Sequence, residues 1–360
     1  MPHPRTRGPL RAQGAFEYIL LLGLVIVLIV FAISILKTTG IGGIGWEINK
    51  TLQGAGPFLN SSNTSGMPLV TIVPHAATPP PTPTPTPGVT PLPPVQFLSS
   101  CATLTFPGNY RLSADVSATS ACFSIVAQDV VLDCAGHEIR GSGSPGSSGI
   151  YSVSSSNVVA KNCVIRNFSS GVYFDSCSFC GAENVTATGS GKGVWLKNSP
   201  NSRAVRVTAS SDSVGVFFEH SNYFNATGNR AEGNADGMRV ESSSGGYFAS
   251  NTASNNSGYG LYFYASSRNR ITANSVFGNG EGVRFASYSN DNTISFNNAS
   301  FNAGRGFFFA PSTGNNLTKN AACSNAEDLY CIQPQVDGGN NTCGPVVGME
   351  CSGSVWCKPC

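Results

Sequence analysis

The sequence predicts an all-β fold, a parallel β-helix (solenoid) carried on one N-terminal transmembrane helix. Three observations lead there: a repeat of about 22 residues, period-two alternation inside each repeat, and one long uncharged apolar stretch near the N-terminus. A glycine followed by a hydrophobic–any–hydrophobic triplet recurs at Gly149, Gly171, Gly193, Gly215, Gly237, Gly260, Gly282 and Gly306. Each triplet turns one pair of side chains inward, such as Val172/Phe174, Val194/Leu196 and Val216/Phe218, as a half-buried strand requires. No unit contains a helical run, and a β-sandwich would not hold a fixed period, so one repeat is one coil. Coils stack about 4.8 Å apart, so eight make a rod of roughly 40 Å. Half a period away, Asn-x4-Asn recurs at Asn162/Asn167, Asn229/Asn234, Asn251/Asn256, Asn274/Asn279, Asn297/Asn302 and Asn320/Asn325. Asparagines stacked at inward turns satisfy one another's amides through the rod.

Composition narrows the function classes. The 360 residues are 11% charged with a formal net charge of +2, which lacks the basic footprint of a nucleic-acid binder. Twelve cysteines, an even number, suit an oxidising compartment. Ten Asn-x-Ser/Thr sequons (Asn49, Asn60, Asn63, Asn167, Asn184, Asn225, Asn255, Asn298, Asn316 and Asn340) suit a glycosylated surface protein.

At the N-terminus, Arg5, Arg7 and Arg11 precede an uncharged run from Tyr18 to Leu36, closed by Lys37. The run is long enough to span a bilayer once, and the arginines keep the leader cytoplasmic and the remainder outside. Arg11-Ala12-Gln13-Gly14-Ala15-Phe16-Glu17 resembles the archaeal class III, type IV pilin-like signal. That resemblance implies a prepilin-type peptidase as partner, cutting between Ala12 and Gln13, with Glu17 at the fifth mature position. An acid there suits pairing with a neighbouring terminal amine, because a lone carboxylate in lipid is costly. The leader is thus residues 1–12, the pilin-like span 13–37 and a spacer 38–78. Residues 79–95 form a stalk, nine of whose first sixteen residues are proline. Such a chain favours polyproline II and reaches roughly 50 Å.

Residues 96–325 are assigned to the solenoid. Pro107-Gly108-Asn109-Tyr110-Arg111-Leu112 and Val130-Val131-Leu132-Asp133-Cys134-Ala135-Gly136-His137-Glu138-Ile139 resemble the opening of the NosD-type, or CASH (carbohydrate-binding and sugar-hydrolase), β-helix family. The resemblance implies a right-handed, pectin-lyase-like β-helix and leaves activity open, since such folds serve lyases, hydrolases, epimerases, binders and adhesins. His137 reads as a structural turn residue. The family name evokes copper, but the four histidines and four methionines are scattered, so no metal or cofactor is expected.

The cysteines divide six and six. Cys101 with Cys122 and Cys134 with Cys163 read as staples of the solenoid, and Cys177-x-x-Cys180, in a loop, as a strained disulfide or a redox pair. Cys323, Cys331, Cys343, Cys351, Cys357 and Cys360 read as a disulfide-knotted cap over residues 326–360, closing the open edge of the last coil. Zinc held by Cys351, Cys357 and Cys360 is the alternative, and connectivity is not legible from spacing.

The candidate ligand-binding surface is the outside of the repeated strand. The second position after each glycine reads Tyr151, Tyr173, Trp195, Phe217, Arg239, Tyr262, Arg284 and Phe308. An exposed aromatic stripe offers flat faces to a polysaccharide laid along the rod; the competing reading is a ladder that stabilises the sheet by stacking. The fourth position carries Glu219 and Glu241 in adjacent coils, candidate catalytic carboxylates at the spacing retaining glycosidases use, where mutual repulsion raises one pKa. The paired-aspartate and Gly-His motifs of β-helix pectinases and the calcium cluster of the lyases are missing, which leans against an enzyme. The sequence therefore points to a membrane-anchored archaeal surface protein that binds carbohydrate. A polysaccharide hydrolase or lyase and a passive envelope or pilus-like subunit are the rival readings.

Overall fold

The computed structural model describes residues 94–347 together with Cys351, Val355 and residues 357–360. All belong to one compact unit, Pro85–Cys360. The leader, apolar span and spacer, with Ala12, Gln13 and Glu17, and nearly all of the stalk lie outside the described residues. Among the described residues no helix is long and apolar enough to cross a membrane.

The described residues wind into three parallel sheets of twelve strands each. A representative coil runs through a long strand Ser170–Asp175, a short strand Gly181–Glu183 and a second short strand Thr186–Thr188 before the next long strand, Lys192–Lys197. The long strands stack with Val172 on Val194, Tyr173 on Trp195 and Phe174 on Leu196, so the 22-residue period is the pairing register. The glycine column is a packing requirement: a Cβ on Gly171 would come within 2.4 Å of the Gly193 carbonyl oxygen in the next coil.

Alternation places Val172, Phe174, Val194, Leu196 and Phe218 fully inside. Interior rings stack from coil to coil, with centroids 5.0 Å apart for both Phe263–Phe285 and Phe285–Phe309. The short strands contribute one inward residue each, often alanine (Ala182, Ala204, Ala226), which keeps the interior narrow at those walls.

Two asparagine ladders run through the corners. In one, Asn229, Asn251, Asn274, Asn297, Asn320 and Asn341 each donate Nδ2 to the Oδ1 of the next. In the other, Asn234, Asn256, Asn279, Asn302 and Asn325 do the same. Each also donates to a carbonyl of the preceding coil, so the ladder amides satisfy their donors inside the rod. Asn162 and Asn167, expected in these ladders, fall one residue early: Cys163 and Phe168 take the inward places, and both asparagines sit on left-handed corners (φ 56° and 60°). Asn269, Asn292 and Asn315 form a third ladder that ends on Gln335.

The strands of all three sheets continue past residue 325, through Glu327–Cys331, Val336–Gly339 and Asn341–Cys343 to Cys357–Lys358. Six disulfides use all twelve cysteines: Cys101–Cys122, Cys134–Cys163 and Cys177–Cys180 in the early coils, then Cys323–Cys360, Cys331–Cys351 and Cys343–Cys357 at the end. The cysteines are thus taken up in covalent pairs, which leaves no thiolate to hold zinc and suits a domain held outside a reducing cytosol.

Candidate functional site

The outer face of the long-strand sheet gathers the residues singled out by sequence. Tyr151, Tyr173, Trp195, Phe217, Arg239, Tyr262, Arg284 and Phe308 stand in one column, set by the pairing register. The expected stripe of open ring faces is not what forms. Ring centroids lie 5.5 Å apart for Tyr151–Tyr173, 4.3 Å for Tyr173–Trp195 and 6.1 Å for Trp195–Phe217, the last two pairs stacked. The guanidinium of Arg239 lies over Phe217 at 5.4 Å and over Tyr262 at 5.2 Å, and Arg284 continues the stack from Tyr262 to Phe308. Tyr330, which the glycine repeat did not reveal, carries on from Phe308 at 5.1 Å. Side chains at one position of successive coils stand a strand spacing apart, about 4.8 Å, so planar groups meet face to face along the rod. Phe217 and Phe308 are accordingly buried, at 6% and 7% exposure. Tyr173, Trp195 and Phe217 thus turn their faces to one another, whereas Phe308 and Tyr330 meet edge to face.

Beside Trp195 the ladder opens into a cleft of about 530 Å³, lined by Lys192, Trp195, Lys197, Glu219, Arg239 and Glu241. Lys192 Nζ sits 3.9 Å from the Trp195 ring centroid and Lys197 Nζ 5.4 Å. Glu219 and Glu241 are register neighbours, as expected. Each is engaged: the Trp195 indole N–H donates to Glu219 at 2.9 Å, and Arg239 pairs with Glu241 at 2.9 Å. Among the described residues, neither Lys192 nor Lys197 lies within ion-pair distance of a carboxylate. Burial pushes the Lys192 amine down from its ordinary value, and Lys197 and Arg239 push the same way against the opposing pull of Glu219. The cleft therefore sets two lysines outside ion-pair distance of the carboxylates around them, though within electrostatic reach of Glu219 and Asp175.

At the rim, Tyr173 donates its hydroxyl to Asp175 at 2.8 Å, and burial together with that bond raises the phenol. Burial works against the Asp175 charge, but hydrogen bonds from Asn198, Tyr173 and Ser176 outweigh it and hold the carboxylate low. Lys192, absent from the sequence-predicted site, stands one residue before the glycine. Its signal was the outward start of each long strand, a column that also holds Asp236, Tyr259, Glu281 and Arg305.

Elsewhere, His137 lies at a corner, 3.1 Å from Asp115. His220 is 3.9 Å from Glu219, and Met238 is a core residue. Among the described residues no three of His, Cys, Asp and Glu converge as a metal-binding group.

Residues 135–299 and 191–341 match the model of a family described as periplasmic copper-binding protein (NosD). No curated protein sequence matches the chain. Among solved structures, a double mutant of the periplasmic alginate epimerase AlgG is similar with a TM-score of 0.57 at 12% identity, over 71% of this chain and 75% of that one. The A-module of Azotobacter vinelandii mannuronan C-5 epimerase AlgE4 is similar with a TM-score of 0.50 at 15% identity, over 73% and 80%. The Dettilon tailspike protein gives a TM-score of 0.50 at 15% identity, over 69% and 54%. Identities this low carry the fold alone and assign no residue a role.

Proposed function

This chain belongs to the NosD family of parallel β-helix proteins, and from that premise we propose that it is a carbohydrate-binding protein of the cell surface whose long-strand sheet holds an anionic polysaccharide. The carrying observation is the cleft beside Trp195, where among the described residues Lys192 and Lys197 lie within ion-pair distance of no carboxylate, whereas Arg239, Arg284 and Arg305 of the same sheet face are each paired. Ring edges and the stacked column supply an apolar floor; the lysines supply sites for carboxylate or sulfate groups of the polymer. Glu219, Glu241 and Asp175 supply acceptors for sugar hydroxyls. The epimerases that share the fold act, by their names, on alginate and mannuronan, polymers of this charge class. In this reading the apolar span and the proline-rich stalk anchor the domain to an archaeal membrane, and its work is adhesion or recognition.

Copper does not fit the described residues. The cysteines are all in disulfides, His137 and His220 stand apart beside Asp115 and Glu219, and Met238 is buried in the core. Copper sites need converging imidazole, thiolate or thioether ligands. A second reading, a structural subunit of the envelope, draws on the self-stacked ladder, which stabilises the rod without any ligand. A hydrolase or lyase draws on Glu219 and Glu241.

One experiment separates them. The whole protein is tested on immobilised polyuronates and neutral glucans across a salt series, with product analysis of the soluble fraction. Anionic binding should fall steeply with added salt, because charge contacts at a surface cleft are screened. It should be lost in Lys192→Ala/Lys197→Ala. No binding to any polymer favours the structural subunit, and released oligosaccharides that disappear in Glu219→Gln favour the enzyme.

A further inference from the structure

Asparagine plays two roles in this rod. Among the described residues, thirteen asparagines are buried in the ladders and corners. All seven sequon asparagines among the described residues (167, 184, 225, 255, 298, 316 and 340) are exposed. None lies on a long strand, so the cleft face is free of acceptors.

Two of the seven share a further arrangement. Asn225 opens the short strand Asn225–Thr227, and Asn298 opens the short strand Asn298–Ala299. Two residues before each stands an exposed aromatic on a left-handed corner: Tyr223 (φ 58°, 67% exposed) and Phe296 (φ 57°, 57% exposed). The residue between, Phe224 or Asn297, is buried, so aromatic and acceptor flank each other on the outside. A bulky residue at positive φ is unfavourable and is retained only where something holds it there. Corner hydrogen bonds from the Tyr223 N–H to the Ser244 carbonyl and from the Phe296 N–H to the Thr318 carbonyl hold the backbones, but the rod covers little of the rings: Tyr223 lies along Gly245 and borders a cleft of about 460 Å³ with Arg268, and Lys319 lies 5.1 Å from the centroid of Phe296. Tyr247, 41% exposed, is the register neighbour of Asn225 and adds a second ring beside it. The sequon hydroxyls are already turned onto the acceptors: Thr227 donates to Asn225 Oδ1, and Ser300 to Asn298 Oδ1 at 2.6 Å. Each amide oxygen is thereby occupied. Neither Nδ2 has a hydrogen-bond partner among the described residues, whereas Asn184 and Asn255 spend theirs on Asn162 and Glu232.

We propose that Asn225 and Asn298 carry N-linked oligosaccharides whose first sugar packs on Tyr223 and Phe296, respectively. The donor is a polyisoprenyl-phosphate-linked oligosaccharide. Its anomeric C1–O bond breaks, the asparagine Nδ2–C1 bond forms, and the amide proton leaves with the lipid phosphate. The apolar face of a pyranose then covers the ring that the protein leaves bare. Phe179 and Tyr288 hold similar corners with no sequon two residues on, so they serve as internal controls.

The test begins with glycopeptide mass mapping of protein purified from its native source. Peptides holding Asn225 and Asn298 should be heavier by an oligosaccharide; both unmodified overturns the proposal. Thermal unfolding then compares Tyr223→Ser in the glycosylated chain and in a Thr227→Ala background, with Asn225→Gln as a second sugar-free background. Tyr223→Ser should lower the melting temperature by several degrees only when the sugar is present. Tyr288→Ser should act alike in every background. Occupancy with an equal Tyr223→Ser effect in all backgrounds overturns the packing of sugar on the ring.

Discussion

Asp212→Asn should make the solenoid more stable at pH 8 and leave it nearly unchanged near pH 4. Asp212 occupies the head of the ladder Asn234–Asn325 and is 4% exposed. Its backbone N–H donates to Asn234 Oδ1 at 2.9 Å, and its Oδ1 accepts from the Ser190 N–H at 2.6 Å, as a ladder asparagine would. Its Oδ2, however, stands where the ladder needs a donor, and it has no partner. By the pattern of Asn234, whose Nδ2 donates to Asn256 Oδ1 and to the Ala209 carbonyl, the groups facing Oδ2 are acceptors. Only the protonated acid can complete the ladder. Burial accordingly raises Asp212 to about 7, against the opposing Ser190 bond. A folded pKa above the unfolded value of 3.8 means that stability is fully present below the unfolded pKa. It declines as pH rises through the folded value near 7 and is flat beyond. Three pKa units correspond to about 4 kcal/mol. Asparagine removes that loss and restores a hydrogen bond of about 1 kcal/mol, so a gain of about 3–5 kcal/mol is expected at pH 8. Melting curves of both proteins at pH 4, 6 and 8 test it, because the difference between them cancels every other titrating group. A difference that does not grow with pH, or a mutant less stable at pH 8, refutes the ladder argument.

The stacked column predicts that Trp195→Ala lowers stability by about 1–3 kcal/mol, since it removes two ring contacts and the Glu219 hydrogen bond. Phe218→Ala, inside the core, should cost about 3–5 kcal/mol; a Trp195→Ala protein as stable as the parent refutes the stack. Non-reducing peptide mapping should find the pairs Cys323–Cys360, Cys331–Cys351 and Cys343–Cys357, and stoichiometric zinc released on denaturation contradicts them. The leader motif predicts a mature chain beginning at Gln13, and N-terminal analysis that finds Met1 retained contradicts it.

The coil architecture was legible because its determinants are periodic. A glycine every 22 residues, followed by an alternating triplet, encodes register, inward face and coil length together, and each is met in the pairing of Val172 with Val194 and of Val194 with Val216. Departures arise where the period persists but the side chain changes role. Asn162 and Asn167 keep the spacing of the ladder pairs and miss the ladder by one residue, because Cys163 and Phe168 fill the inward slots instead. Asp212 is the converse case: no asparagine stands there, yet its backbone and one oxygen perform the asparagine's part. Spacing alone cannot distinguish a corner residue at positive φ from its inward neighbour, and that difference decides which asparagine is ladder and which is surface.

The site was less legible for a related reason. Sequence shows that Tyr173, Trp195, Phe217 and Arg239 share a column, but not which way their planes face. Along a strand spacing of about 4.8 Å a planar side chain gains most by lying on its neighbour, so the column closes upon itself, and Arg239 and Arg284 join it as planar cations. Trp195 has a phenol-bearing ring on one side at 4.3 Å and a phenyl ring on the other at 6.1 Å. A ligand reaching this surface meets ring edges, two lysines and a run of carboxylates. In the proposed carbohydrate-binding role, selectivity would come from charge and hydrogen bonding, with the apolar column as floor. The wider gap between Trp195 and Phe217 borders the cleft in which Lys192 lies over the indole, and it is there that the proposed ligand would meet a cation.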